Sequence, residues 1–221
     1  REGDASPQLY LLPLGGGEPQ RLTNVPTGVA QPKGFPDGRR IAFLSRVWPD
    51  LDTMARQGER QKERGEASST AQIWDGGPVF FWDTWLDDRQ LHVFSVGLEG
   101  GEPVNLTAAT GLQLSRTAVP LEVSLYDLSP DGKELAFVAD SDPAANVQNL
   151  DVFTVVVGAS GAVNRSAGNA ANDTVPQYSP DGRWLAFARE SASGLNRGAE
   201  SLAWCVFSAR WGLPSADHSH R

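Results

Sequence analysis

Phe35-Pro36-Asp37-Gly38-Arg39-Arg40-Ile41-Ala42-Phe43 is written twice more, as Ser129-Pro130-Asp131-Gly132-Lys133-Glu134-Leu135-Ala136-Phe137 and as Ser179-Pro180-Asp181-Gly182-Arg183-Trp184-Leu185-Ala186-Phe187. Proline at the second turn position presets φ near −65°, and glycine at the fourth tolerates the left-handed conformation. The phrase therefore predicts a tight reversal between strands, a type I turn closing through a bulge. After it, Ile41 and Phe43, Leu135 and Phe137, or Leu185 and Phe187 share one face of a strand, with a small alanine between them on the other. That pattern predicts a strand buried on both sides.

A second phrase interleaves with the first. Leu14 to Thr23 (LGGGEPQRLT) matches Leu98 to Thr107 (LEGGEPVNLT), and a worn copy runs from Gly158 to Ser166. Tyr10, Leu12 and Leu14 alternate before it, as do Phe94, Val96 and Leu98, so it reads as a hairpin turning at Gly16-Gly17 and Gly100-Gly101. Four short strands per cycle, repeated in series, predict an all-β chain of four-stranded antiparallel propeller blades.

Fifty residues separate Asp131 from Asp181, within the ~40 to 50 residues of one blade. Asp37 to Asp131 spans nearly twice that, with no second copy of the phrase between, so residues 47–90 are expected to be an insertion between the second and third strands of one blade. The expectation is a partial β-propeller over residues 1–194. It comprises the outer two strands of one blade (8–23), whole blades at 26–107 and 120–166, and the inner two strands of another (174–189). Residues 195–221 are expected to be a divergent or disordered tail, although Ala203 to Phe207 has a strand pattern. Because the chain opens on Arg1 and its one methionine is Met54, it is expected to be a slice of a longer ring. Its uncovered sheet edges make a homo-oligomer one expected partner.

The composition, 40% hydrophobic and 21% charged over 221 residues, is that of ordinary globular material. A net charge of −8 opposes a phosphate backbone as partner, because nucleic acids are held by clustered Lys and Arg. No apolar run approaches the ~18 residues of a membrane-spanning helix. Cys205 is the single cysteine, which excludes a disulfide framework or thiolate metal cluster. His92 precedes a strand and is read as a surface or interface residue, while His218 and His220 lie in the polar tail. No metal or cofactor is expected.

No catalytic residue is assigned. A serine hydrolase of the α/β class needs Gly-x-Ser-x-Gly on a strand-to-helix turn. The nearest string, Gly158-Ala159-Ser160-Gly161-Ala162, has its first glycine misplaced and suits a hairpin turn. Ser215, Asp217 and His218 have the right chemistry but crowd into a polar tail with nothing to hold their geometry.

Within the insertion, Asp50 to Arg64 (DLDTMARQGERQKER) contains good helix formers, a cap at Asp50 and an i, i+4 pair of Asp52 with Arg56, weakened by Gly58. Aromatic residues then gather at Ile73-Trp74 and Val79-Phe80-Phe81-Trp82-Asp83-Thr84-Trp85. Such a cluster serves as core filler or as the wall of a cavity.

Arg46-Val47-Trp48-Pro49-Asp50, the charged insertion, Trp82-Asp83-Thr84-Trp85-Leu86-Asp87-Asp88, Leu91 to Val96 and Gly-Gly-Glu-Pro together resemble the propeller of bacterial acylaminoacyl peptidases and dipeptidyl peptidases, of the prolyl oligopeptidase family of serine peptidases. The likeness runs from about residue 7 to 190. It implies a propeller capping an α/β-hydrolase domain that this chain does not contain, admitting short peptide substrates and excluding folded proteins, with the compartment open between cytoplasm and periplasm. By the same likeness, the insertion lies near the entrance or an interdomain contact, and Arg46, Trp82 and Trp85 are its candidate residues. The adjacent Glu-Glu pair with which well-known dipeptidyl peptidases hold a free amine is absent, which leans toward the acylaminoacyl or endo-acting type. TolB-like propellers share the Pro-Asp-Gly repeat, so a protein-binding module is the alternative, and a degenerate gene product without activity is a third.

Overall fold

All three Pro-Asp-Gly phrases close the same reversal. In the computed structural model, the N–H of Gly38, Gly132 and Gly182 donates to the carbonyl three residues back, on Phe35, Ser129 and Ser179, at 2.8–2.9 Å. The glycines sit at φ of +64°, +69° and +66°, which a Cβ would oppose. The aspartate Oδ1 accepts the N–H two residues ahead, from Arg39, Lys133 and Arg183. In the second and third copies the serine hydroxyl donates to that same oxygen (2.7 and 2.6 Å) while accepting the N–H of Glu134 or Trp184.

The structure describes residues 4–67, 80–81, 84–85, 88–114, 124–143, 149–168, 171–190 and 202–208; for 80–81, 84–85 and 202–208 it describes the backbone pairing alone. The chain divides into two compact units, 1–108 and 109–221.

In the first unit, β1 (Tyr10–Leu11) and β2 (Gln20–Arg21) form a two-stranded sheet. Then β3 (Ala30–Gly34), β4 (Arg40–Val47), helix α1 (Met54–Glu66), a short hairpin of β5 (Phe80–Phe81) with β6 (Thr84–Trp85), β7 (Gln90–Gly97) and β8 (Gly100–Asn105) follow. The four-stranded sheet has the order β3-β4-β7-β8, all antiparallel. Between β4 and β7 the chain leaves this sheet to form the helix and the short hairpin. Phe43 lies opposite Phe94 with ring centroids 5.8 Å apart, and Ile41 lies opposite Val96. With Val47 and Met54 they pack against Leu9, Leu22 and Val25 of the preceding pair of strands. Each such large apolar side chain taken from water contributes about 1.5–3 kcal/mol.

The second unit repeats the plan. A four-stranded sheet is built from β9 (Tyr126–Leu128), β10 (Glu134–Asp140), β11 (Leu150–Val156) and β12 (Ala162–Asn164), and a three-stranded sheet from β13 (Asp173–Tyr178), β14 (Trp184–Glu190) and β15 (Leu202–Ser208). Phe137 lies opposite Phe153 at 6.0 Å. On the other face, Ala136 and Val152 pack against Tyr178, Leu185 and Phe187 of the next sheet. A small residue at position 136 lets those larger side chains approach. Asp127 and Glu134 stitch the two sheets polarly, accepting the Tyr178 N–H (2.8 Å) and hydroxyl (2.7 Å).

Four details depart from the sequence reading. Strand β1 ends at Leu11, leaving Leu12 and Leu14 exposed at 62% and 102%, because the turn around Pro13 to Gly16 begins before the alternation ends. In the second copy the reversal is Leu98-Glu99, with Gly97 opposite Gly100, so Gly100 and Gly101 open the returning strand at φ of +82° and +111°. Strand β15, on the Ala203 to Phe207 strand pattern, places regular structure within the stretch 195–221 expected to be a divergent or disordered tail. Finally, β3 and β13, terminal strands of their sheets, each carry a register shift with a left-handed residue before proline: Gln31 (φ +47°) before Pro32 and Val175 (φ +54°) before Pro176. The bulge and the missing N–H blunt an edge that would otherwise accept another strand.

Candidate functional site at the insertion

Strand β4 ends at Val47, and the next residues turn the chain outward, the Leu51 N–H donating to Trp48 O at 3.1 Å. Gln57, buried in the first turns of α1, locks that turn: its Oε1 accepts the Trp48 N–H (2.9 Å) and its Nε2 donates to Trp48 O (2.8 Å) and Leu51 O (3.1 Å). Thr53, not Asp50, caps the helix, accepting the Arg56 N–H at 3.4 Å. Asp50 lies outside the helix and instead receives both outer nitrogens of Arg60 at 2.8 and 2.7 Å. That pair lowers the Asp50 carboxyl below its ordinary range and raises Arg60. The expected Asp52–Arg56 bridge is present at 3.3 Å. Glu102, from the Gly-Gly-Glu-Pro phrase, accepts the Met54 N–H at 3.0 Å and ties the helix start to β8. Gly58 does more than weaken the helix, since a Cβ there would stand 3.1 Å from the Pro26 ring.

Trp48 is the hub. It is 1% exposed, and the guanidinium carbons of Arg60, Arg64 and Arg89 lie 5.6, 5.9 and 5.4 Å from its ring centroid, within cation–π range. Arg64 is paired with Asp88, and Arg89 donates to Gln61. The indole Nε1, fully buried, has no hydrogen-bond partner.

Arg46 is half-buried on β4, opposite Leu91 and two residues before Trp48. Trp82 lies outside the described residues, and Trp85 is placed by its backbone in β6, opposite Phe80. The arginine cluster on Trp48 escaped the sequence reading; its signal was a Trp-Pro-Asp turn followed by arginines four apart on one helix, Arg56, Arg60 and Arg64.

His92 corrects an expectation. It is buried, 4% exposed, with Nδ1 3.0 Å from the Thr107 hydroxyl, which also accepts the Val93 N–H. It lies opposite Ser45, on the sheet face that carries Phe43 and Phe94. Burial pushes its pKa down to about 4. A neutral imidazole enclosed in a core reaches no substrate. Among the described residues, no three or more His, Cys, Asp or Glu side chains are placed to hold a metal, and no helix is long and apolar enough to cross a membrane.

No protein-family model matches the chain. It is 28% identical over 188 residues to the uncharacterized peptidase YuxL of Bacillus subtilis (strain 168), covering 85% of this chain and 19% of that protein. It is 30% identical over 141 residues to dipeptidyl-peptidase 5 of Aspergillus fumigatus, covering 54% of this chain and 19% of the relative. The chain thus spans about a fifth of the length of these curated relatives. Among solved structures, TolB of Agrobacterium tumefaciens matches with a TM-score of 0.52 at 19% identity, covering 91% of this chain and 52% of that one. TolB of Acinetobacter baumannii matches at 0.50 and 16%, covering 90% and 35%. The blades are therefore those of a β-propeller, and the sequence relatives are peptidases.

Proposed function

We propose that this chain is the non-catalytic propeller portion of a serine-type oligopeptidase of the prolyl oligopeptidase family, gating the access of short peptides to an α/β-hydrolase domain. The observation that carries the reading is the coincidence of propeller blades with a peptidase relative aligned over 85% of the chain. Physical fit supports it: each sheet has a buried apolar core, and the basic, aromatic insertion supplies polar contacts where a peptide would enter. Arg46, Trp82 and Trp85 remain the proposed entrance residues, now joined by Trp48.

The test compares the isolated chain with the full product of its gene. The full product is expected to react with a fluorophosphonate probe and to cleave short chromogenic peptides; the isolated chain is expected to do neither. Labelling of the isolated chain would sink the proposal, and so would a full product without Gly-x-Ser-x-Gly. The latter result favours the second reading, a TolB-like protein-binding propeller, which rests on the two TolB structures matched at TM-scores of 0.50 and 0.52.

A further inference from the structure

We propose that Asp37 is a site of spontaneous backbone modification, closing on Gly38 to a succinimide and reopening as isoaspartate, whereas a serine hydroxyl restrains the same step at Asp131 and Asp181. The inference is independent of the peptidase reading.

The chemistry needs only what an Asp-Gly step contains. The Gly38 amide nitrogen attacks Cγ of Asp37; an N–Cγ bond forms, and one carboxyl oxygen leaves as water with the amide proton and the carboxyl proton. Water then opens the cyclic imide. Breaking the N–Cγ bond restores aspartate. Breaking the bond from that nitrogen to the main-chain carbonyl carbon of Asp37 leaves Gly38 attached through Cγ and frees the old main-chain carbonyl as a carboxylate. Glycine favours the step because no side chain crowds its nitrogen and its backbone turns freely. Asp37-Gly38, Asp131-Gly132 and Asp181-Gly182 all carry it; Asp75-Gly76 lies outside the described residues. Isoaspartate at Asp37 would add one methylene to the main chain where β3 reverses into β4, the strand that leads into the insertion.

Three copies of one phrase form an internal comparison. In each, the glycine N–H donates to the carbonyl three residues back, so the reversal must open briefly before the nitrogen attacks. In each, the aspartate Oδ1 accepts the N–H two residues ahead. What differs is the first residue. Ser129 and Ser179 donate to that Oδ1 at 2.7 and 2.6 Å and accept the N–H of Glu134 and Trp184 at 2.9 and 3.0 Å. Turning either carboxyl toward its glycine therefore breaks a bridge anchored to the main chain. Phe35 has no hydroxyl to offer. The second oxygen of Asp37 instead meets Arg40 at 3.2 and 3.3 Å, through a side chain 38% exposed. A long arginine follows a rotating carboxylate where a serine cannot, and exposed pairs hold weakly. The neutral carboxyl is the form that loses water, and the serine hydroxyl is the first cause holding Asp131 and Asp181 below the ordinary range. Asp37 is lowered chiefly by the Arg39 N–H, a bond whose counterpart exists in every copy. The surroundings differ as well: a Cβ on Gly38 would meet nothing within 4 Å, whereas one on Gly182 would stand 3.6 Å from Pro130.

The test ages the purified chain at neutral pH and body temperature and quantifies isoaspartate at each step by peptide mapping with electron-transfer fragmentation, which distinguishes the two linkages. Short peptides spanning residues 35–40, 129–134 and 179–184 supply the unfolded rates, and each site in the folded chain is read relative to its own peptide. On that scale Asp37 is expected to convert about fivefold faster than Asp131 or Asp181, the weight of one net hydrogen bond. Ser129→Ala and Ser179→Ala are each expected to bring their own aspartate to the Asp37 rate while leaving the other two sites unchanged, a selectivity that general destabilisation would not produce. The proposal is overturned if Asp37 does not convert, if Asp131 or Asp181 keeps pace with it in the native chain, or if the two serine variants leave their aspartates as slow as before.

Discussion

Acidification should weaken this fold through His92 before most of its carboxylates protonate. The imidazole has an ordinary pKa of 6.5 in the unfolded chain and about 4 in the fold, where burial disfavours its charged form. Between those values the unfolded state binds a proton that the folded state refuses, so stability is full above pH 6.5, falls as pH drops toward 4 and levels below it. Each unit of difference is worth about 1.4 kcal/mol; the loss is therefore about 2 kcal/mol at pH 5 and about 3 kcal/mol at its limit. With a urea slope of about 2 kcal/mol per molar, the midpoint should fall by about 1 M between pH 7.5 and pH 5. His92→Asn cannot titrate, and its amide can still meet Thr107. It should be weaker than wild type at pH 7.5 by about 1–2 kcal/mol from lost packing, yet lose less than half as much on going to pH 5. Equal losses in the two proteins, or an NMR titration placing His92 above pH 6, would refute the reasoning.

Other consequences are read by the same denaturation assay. Ser129→Ala removes the hydroxyl that bonds both Asp131 and the Glu134 N–H. It should cost about 1 kcal/mol and let the Asp131 carboxyl, now held low chiefly by that hydroxyl, titrate nearer its ordinary range by NMR. Tyr178→Phe leaves Glu134 without its 2.7 Å donor and should cost about 1–2 kcal/mol. Gly65→Ala, which meets open space, should stabilise α1 by up to about 1 kcal/mol, whereas Gly58→Ala should lose that gain against the Pro26 ring at 3.1 Å; equal gains at both sites would contradict the contact. Val175→Gly should be neutral or stabilising, because valine at φ +54° stores about 1–2 kcal/mol of strain.

Much of this architecture was legible because it is local. Pro-Asp-Gly, an adjacent serine and alternating apolar residues specify a turn and a strand within ten residues, and their recurrence specifies sheets of equal plan. The insertion was visible as a gap in that recurrence, and the helix as a run of helix formers. Its cap moved from Asp50 to Thr53 because Asp50 found Arg60, a pairing ten residues long that no local rule weighs. His92 was misread for a related reason: nothing beside it in the chain states that it will face Ser45 and meet Thr107 inside a core.

By itself, the amino-acid order determined turn chemistry, strand phase and blade plan, since each depends on backbone sterics and side-chain alternation over a few residues. Only the tertiary structure decided which polar groups would be buried, that Ala136 would admit Tyr178 and Phe187, and that Arg89, forty-one residues on, would join the helix arginines Arg60 and Arg64 on Trp48. Those outcomes depend on which surfaces meet, and surfaces meet through contacts that chain order does not encode one residue at a time.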